Sequence, residues 1–176
     1  NKERFFDKLD VTDCNFCTTE PSNLSFSKKK KIFYMPNPVD ISFEKLHNYK
    51  KKHFNNDVFF AMSHGVHRGI LKKGKYDKRE SFIDSLINKT PNIRFDLYGM
   101  DNRQPVWADD FINAISQSKM GINLSQGRPV KYYSSDRLAQ LVGNGLLVLV
   151  DKKTQFTDFF TEKELIFYKN INDLSE

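Results

Sequence analysis

The sequence predicts an α/β fold built on a doubly wound parallel sheet. From about residue 57 onward, apolar runs of strand length alternate with amphipathic helical segments. The runs are apolar enough to be covered on both faces, as strands are in parallel sheets flanked by helices. Right-handed crossovers then place helices on both sides of the sheet and a ligand crevice at the carboxyl ends of the strands.

Five apolar runs supply the predicted strands. Aromatic and β-branched residues are common in them, and polar or glycine-containing segments separate them. The runs span residues 57–62, 93–99, 120–125, 146–150 and 164–168. The connections after residues 62, 98, 125 and 150 should therefore meet at the carboxyl edge of the sheet.

Three helices are predicted between these strands, each with one apolar face at a period of 3.6 residues. The first spans residues 79–89 and the third begins near residue 134. The apolar face of the second is formed by Trp107, Phe111, Ala114 and Ile115. The third turns Leu138, Leu141 and Val142 to the core and Asp136 and Gln140 to the opposite side.

The part of the chain before residue 57 is less regular. We expect the first thirty residues to be irregular and polar, apart from a half-buried strand around the segment VTDCNFCTT. Residues 32–36 predict a short strand that ends in a rigid connector, because Pro36 and Pro38 fix φ and exclude helix. Residues 42–53 are predicted to form a short helix.

Two sets of residues in the sequence are of types that can ligate a metal ion. Cys14 and Cys17, with His64 and His67 further on, supply four residues able to ligate zinc. The spacing between the pairs is not that of a zinc finger, so we predict no zinc site. Asp109 and its neighbour Asp110 fall on a predicted helix and indicate a solvated face rather than a site for a divalent cation.

The segment 119–150 is the most informative about binding. It predicts a buried strand, a polar loop carrying Arg128 and Lys131, a helix that opens at Ser134 or Ser135, and a second buried strand. Free backbone N–H groups and the helix dipole favour an anion at such a helix N-terminus. This arrangement predicts a phosphate site.

Arg137 falls in the first turn of that helix. A cation at this position opposes the helix dipole. It is better explained if its side chain meets a bound anion or Asp136.

The net charge of +6 favours anionic partners without choosing among nucleic acid, lipid headgroups and small phosphorylated ligands. Lysine runs at 28–31 and 50–52 carry much of the surplus and are typical of solvated segments. The composition is that of a soluble globular domain, without a membrane-spanning run or a secretory signal. We expect a cytoplasmic protein and a piece of a longer one.

The connection after the first strand carries three glycines together with Arg68, Lys72 and Lys73. It matches neither GxGxxG nor GxxxxGK[ST], which disfavours dinucleotide binding and P-loop chemistry. A phosphate-binding loop and a solvated surface loop both remain open for it.

The order PNPVD, DVFFAMSHG, KMGINLS, SSDRLAQLVGNGLLVLV and ELIFYKNINDL resembles the C-terminal half of a GT-B glycosyltransferase. The resemblance is to the family-1-like group that includes spore-coat-type glycosyltransferases, and it covers roughly residues 30–176. It implies a Rossmann-like domain, one half of a GT-B fold, that binds a nucleotide-sugar donor of the UDP or GDP type. It also implies that residues 1–40 end an N-terminal region and interdomain linker, and that 41–176 form the donor domain.

Several site residues follow from this resemblance. Arg68 and Lys73 match in spacing an Arg and a Lys that contact the donor diphosphate in many retaining GT-B enzymes. Gln140 falls where the family usually has a Glu that hydrogen-bonds the ribose. Arg128, Lys131, Ser134 and Ser135 complete the predicted donor site. The resemblance assigns no catalytic residue, and we expect no metal or other cofactor.

YSSDRL separately resembles the donor motif of α1,3-fucosyltransferases, in which an acid and a base bind a guanine nucleotide. On that interpretation Asp136 and Arg137 recognise the donor. The acceptor, a glycan or a lipid-linked molecule, should bind through an N-terminal domain absent from this chain, with a possible peripheral membrane contact. A basic nucleic-acid-binding domain is the competing interpretation, suggested by Tyr132 and Tyr133, although no nucleic-acid motif is present and we expect no nucleic-acid partner.

Overall fold

The computed structural model of the chain describes residues 2–24, 31–63 and 77–176. Its main strands are β3 (Asn56–Ala61), β4 (Phe95–Tyr98), β5 (Ser118–Asn123), β6 (Leu147–Asp151) and β7 (Ile166–Tyr168). They form one sheet in the order β4-β3-β5-β6-β7, and every neighbouring pair is parallel. A smaller parallel pair precedes it, β1 (Asn15–Cys17) beside β2 (Ile32–Tyr34). The predicted parallel sheet and its five strands are confirmed.

Helices cover both faces of the main sheet, as a doubly wound fold requires. They are α2 (Lys78–Lys89), α3 (Ala108–Ser116), α4 (Asp136–Gly143) and α5 (Ile171–Ser175), and α1 (Lys2–Asp10) precedes β1. Phe59 packs in the core under α3 and α4, whereas its neighbour Phe60 packs in the core under α2 and α5. Because successive side chains of a strand point to opposite faces, β3 needs an apolar residue at both positions.

The strand order reverses between β3 and β5. From β3 the chain crosses to β4 on one side, and from β4 it returns over the sheet to β5 on the other side. In open parallel sheets this switch point leaves a crevice at the carboxyl ends of the two strands. Residues 62–63 and 124–135 leave the sheet at that place.

Gly121 brings α4 close to the switch point. A Cβ at this position in β5 would lie 2.8 Å from Cδ1 of Leu141, which is fully buried in α4. The missing side chain therefore allows α4 to pack tightly on β5. The first turn of α4 is held at the carboxyl edge of the sheet as a result.

Two expectations for the N-terminal part are wrong. Residues 2–10 form helix α1 and not an irregular segment, with Leu9 buried against the rest of the protein. Residues 42–53 form no α-helix, and only a short 3-10 turn spans Asn48–Lys50. His47 before this turn has a φ of 48°, and the buried Asn48 side chain donates to the carbonyls of Ile115 and Ser118 at 2.9 and 3.0 Å. These tertiary hydrogen bonds outweigh the local helical tendency.

Candidate functional site

A cavity of about 800 Å³ opens at the carboxyl edge of the sheet, beside the switch point. The end of β3 forms its floor, and the connection from β4 into α3 forms one wall. The first turns of α4 and the segment 42–45 form the rest. Its lining includes Met62, Ser63, Trp107, Asp136, Arg137 and Gln140. Small-molecule sites typically have volumes of roughly 300–1,000 Å³, so the cavity suits a ligand of nucleotide size.

The two predicted serines fix the start of α4. Ser135 is the N-cap, and its Oγ accepts from the amide of Leu138 at 3.2 Å and donates to Asn123 Oδ1 at 3.1 Å. Ser134 is buried, and its Oγ accepts from the amide of Asn37 at 3.0 Å. Both hydroxyls are thus engaged within the protein, and their contribution to a site is to hold the helix N-terminus at the cavity.

Asp136 and Gln140 lie one turn apart on α4, and both line the cavity. The carboxylate of Asp136 accepts a hydrogen bond of 2.6 Å from the side-chain amide of Asn37. Asn37 is a residue that the sequence patterns did not single out. Its position between Pro36 and Pro38 in a rigid connector was the available signal.

Arg137 reaches the carboxyl edge between β3 and β5. Its Nη1 donates to the carbonyl of Leu124 at 2.9 Å, and its Cζ lies 5.3 Å from the centroid of the Phe60 ring. Within residues 2–24, 31–63 and 77–176 no carboxylate forms an ion pair with it. The expectation that Arg137 pairs with Asp136 is therefore wrong, because the carboxylate of Asp136 hydrogen-bonds Asn37 instead.

Burial lowers the pKa of Arg137 to about 10, and the nearby Arg79 adds to this effect while Tyr133 opposes it. Arg79 is itself buried and paired with Asp77, at 2.8 Å between Nη2 and Oδ2. Arg137 is still protonated at neutral pH. The site thus presents a desolvated cation to the cavity, which is an environment that favours a bound anion.

Two of the other predicted cations, Arg128 and Lys131, lie outside the cavity lining. Arg128 is exposed and does not line the cavity. Lys131 also lies outside the cavity lining, with its Nζ 4.6 Å from the centroid of the Tyr132 ring. Its carbonyl accepts from Thr19 Oγ1 at 2.9 Å, so this loop packs on the N-terminal segment. Arg68 and Lys73 lie outside the described residues.

Trp107 is not part of the apolar face of α3, which corrects the sequence-based expectation. It precedes the first helical residue, is 54% exposed and lines the cavity. Ala114 and Ile115 do face the core as predicted, whereas Asp109 stays exposed at the cavity. The spacing of apolar residues cannot distinguish a residue on the apolar face of a helix from one that lies just before the helix begins.

A strand forms within the segment of the two cysteines, as predicted, but it spans only Asn15–Cys17 and leaves Cys14 just before it. Cys17 lies in β1, and its thiol donates to the carbonyl of Thr19 at 3.1 Å, while Cys14 is exposed. Among the described residues no group of three or more His, Cys, Asp or Glu side chains is arranged to hold a metal ion. His64 and His67 lie outside those residues.

None of the described helices has the length and apolar character needed to cross a membrane. In comparisons with known proteins, a model of the family described as glycosyl transferase-like matches residues 78–176, which is more than half of the chain. The comparison with curated proteins found no match, and neither did the comparison with solved structures. The matched range contains Trp107, Asp136, Arg137 and Gln140 and thus two walls of the cavity.

Proposed function

Because the chain belongs to the glycosyl transferase-like family, we propose that it is the donor-binding domain of a glycosyltransferase. On this proposal the cavity at the switch point binds a nucleoside diphosphate sugar, and a hexose passes from it to a glycan or lipid-linked acceptor. The observation that carries the proposal is Arg137, a desolvated cation without an ion-pair partner among the described residues, at the wall of a cavity of nucleotide size.

The chemistry of transfer explains why a cation is needed there. Breaking the bond between the sugar and the diphosphate leaves negative charge on the leaving phosphate. The guanidinium of Arg137 and the backbone amides of Asp136 and Arg137, which have no acceptor among the described residues, would stabilise this charge as preorganised donors. Arg68 and Lys73 follow Ser63 in the sequence and stay our candidates for further contacts to the diphosphate.

The polar residues of α4 suit the remainder of the nucleotide. Gln140 can accept a hydrogen bond from a ribose hydroxyl through its side-chain oxygen, although it lacks the charge of the Glu usual in related enzymes. Asp136 supplies a carboxylate one turn earlier on the same helix. A guanine base could also donate to this carboxylate, so GDP and UDP donors are both retained in the proposal.

A nucleic-acid-binding function has less support. Tyr132, one of the two aromatic residues that suggested it, packs at 4.8 Å between ring centroids on Phe159, and its hydroxyl donates to Asp158 at 2.5 Å. A stacking platform for bases needs an unoccupied ring face. The ring of Tyr132 is instead used within the protein.

Calorimetric titration with UDP, GDP, ADP and their sugar conjugates tests the proposal. We expect one nucleotide class to bind. The variant Arg137→Ala should bind that nucleotide about 10- to 150-fold more weakly, because hydrogen bonds to a charged group are lost. Lys89→Ala is the matched control, because Lys89 is exposed at the far end of α2 and outside the cavity.

Failure of every nucleotide to bind would contradict the proposal. Binding of short DNA or RNA with a steep salt dependence would favour the nucleic-acid interpretation instead. The acceptor site is assigned to a separate domain, so we expect this chain alone to bind donor but to transfer sugar poorly. Efficient transfer by the 176 residues would contradict that part.

A further inference from the structure

The chain contains a single tryptophan, and the structure places it on the cavity wall. Trp107 is 54% exposed, although a side chain of this size gains more from burial than any other. Among the described residues no aromatic ring or cation packs on its indole. The largest apolar side chain of the protein is therefore kept open toward the cavity.

The backbone around Trp107 holds it outside the helix. Trp107 itself is extended, with φ −141° and ψ 160°, and Ala108 after it has a φ of 46°. A residue with a Cβ rarely adopts this left-handed conformation, and such strain is found mainly where a ligand site requires it. The turn separates Trp107 from the residues of α3 that face the core.

The surroundings divide the cavity into two chemical regions. Next to Trp107 the lining is mainly apolar, with Pro105 and Val106 before it and Phe111 and Ile112 after it, and it also carries the carboxylate of Asp109. Further polar groups come from the segment 42–45, with Glu44 and Lys45, and from α4, where Asp136 and Gln140 offer hydrogen bonds and Arg137 offers its charge. An anionic group and a flat apolar ring can thus be accommodated in one ligand.

We propose that Trp107 is the stacking platform for the nucleobase of the donor. This inference rests on the proposed function and adds the subsite that binds the base. Every base has a π face, so stacking supplies affinity without selecting the base. Selection then falls to groups that meet the edge of the base, and Asp136 on α4 is our candidate for this role.

Fluorescence tests the inference directly, because the emission of the protein reports this one tryptophan. Titration with UDP and GDP should quench the emission, whereas ribose 5-phosphate and inorganic pyrophosphate, which lack a base, should not. Calorimetric binding of a nucleotide without any change in emission would overturn the inference and leave the proposed function intact. Equal quenching by ribose 5-phosphate would overturn it as well, in favour of a sugar subsite.

Substitution provides a second readout. Trp107→Ala should weaken nucleotide binding by about 5- to 150-fold and Trp107→Phe by much less, since a ring is retained. Pyrophosphate binding should be unchanged in both variants. Phe16→Ala is the control, because Phe16 is 60% exposed on β1 and does not line the cavity. An equal loss for nucleotide and pyrophosphate would assign Trp107 a structural role, and a wild-type chain that binds no nucleotide would contradict the proposed function together with this inference.

Discussion

On the proposed function, Arg137 combines a cost to stability with a gain for donor binding. Its pKa is lowered to about 10 because burial and the neighbouring Arg79 both disfavour the charged form. Among the described residues its guanidinium hydrogen-bonds only the carbonyl of Leu124, and it lies over the ring of Phe60. A cation with so few compensating contacts destabilises the unliganded fold, and natural proteins keep such groups where function needs them.

We therefore expect Arg137→Met to stabilise the unliganded protein while it weakens nucleotide binding. Methionine fills a similar volume without a charge, so the free energy of unfolding should rise by about 1 to 3 kcal/mol. Chemical denaturation without ligand measures this change. Arg128→Met is the control and should leave stability nearly unaltered, because Arg128 is exposed. A less stable Arg137→Met protein would show that the guanidinium is structural.

At the scale of elements, the segment 37–48 is hydrogen-bonded to α4 at both ends of the helix. Asn37 binds Asp136 and Ser134 at the first turn, at 2.6 and 3.0 Å. At the other end, the amide of Asn48 donates to the carbonyl of Asn144 at 2.9 Å. The helix that presents Asp136, Arg137 and Gln140 to the cavity is thus fixed by the connector that precedes the main sheet.

Removing one of these contacts should be felt in the cavity. We expect Asn37→Ala to free the carboxylate of Asp136 and to weaken nucleotide binding by about 2- to 10-fold, as expected for one lost hydrogen bond. Calorimetry on the variant measures the effect. Asn92→Ala, an exposed position in the turn before β4, serves as the control. Unchanged binding in Asn37→Ala would mean that Asp136 takes no part in the site.

The elements that the sequence predicted correctly are those with a strong local pattern. Each of the five strand runs has at least three apolar side chains, and the N-cap of α4 is one of the two serines proposed for it. The short helix expected at 42–53 failed because the buried Asn48 bonds to Ile115 and Ser118, which are distant in sequence. Trp107 was misassigned because a period shows spacing but not where a helix begins.

At the scale of the whole molecule, the cavity results from topology. The structure shows that the strand order reverses between β3 and β5, and the sequence could place the crevice at the carboxyl edge of a doubly wound sheet. It could not show that residues 42–45 close one side, because that contact joins parts of the chain far apart in sequence. The sequence also predicted Arg128 and Lys131 as site residues, because they precede α4 in the chain. In the structure neither residue lines the cavity.

A smaller cavity of about 410 Å³ provides an internal comparison. It is lined by residues that include Tyr49, Gly145 and Leu165, and its lining shares no residue with that of the larger one. A ligand that binds nonspecifically would occupy both cavities. A nucleotide held by Arg137 and Trp107 should bind in the larger cavity and not in the smaller one.

Chemical-shift mapping of the labelled chain during titration with UDP or GDP tests the central claim most directly. The amides of Met62, Ser63, Ala108 and the first turn of α4 should shift in a saturable way, together with the indole N–H of Trp107. The chemical shifts of the amides of Tyr49, Gly145 and Leu165, which line the smaller cavity, should not change. Shifts confined to the smaller cavity, or none with any nucleotide, would contradict a donor site at the switch point.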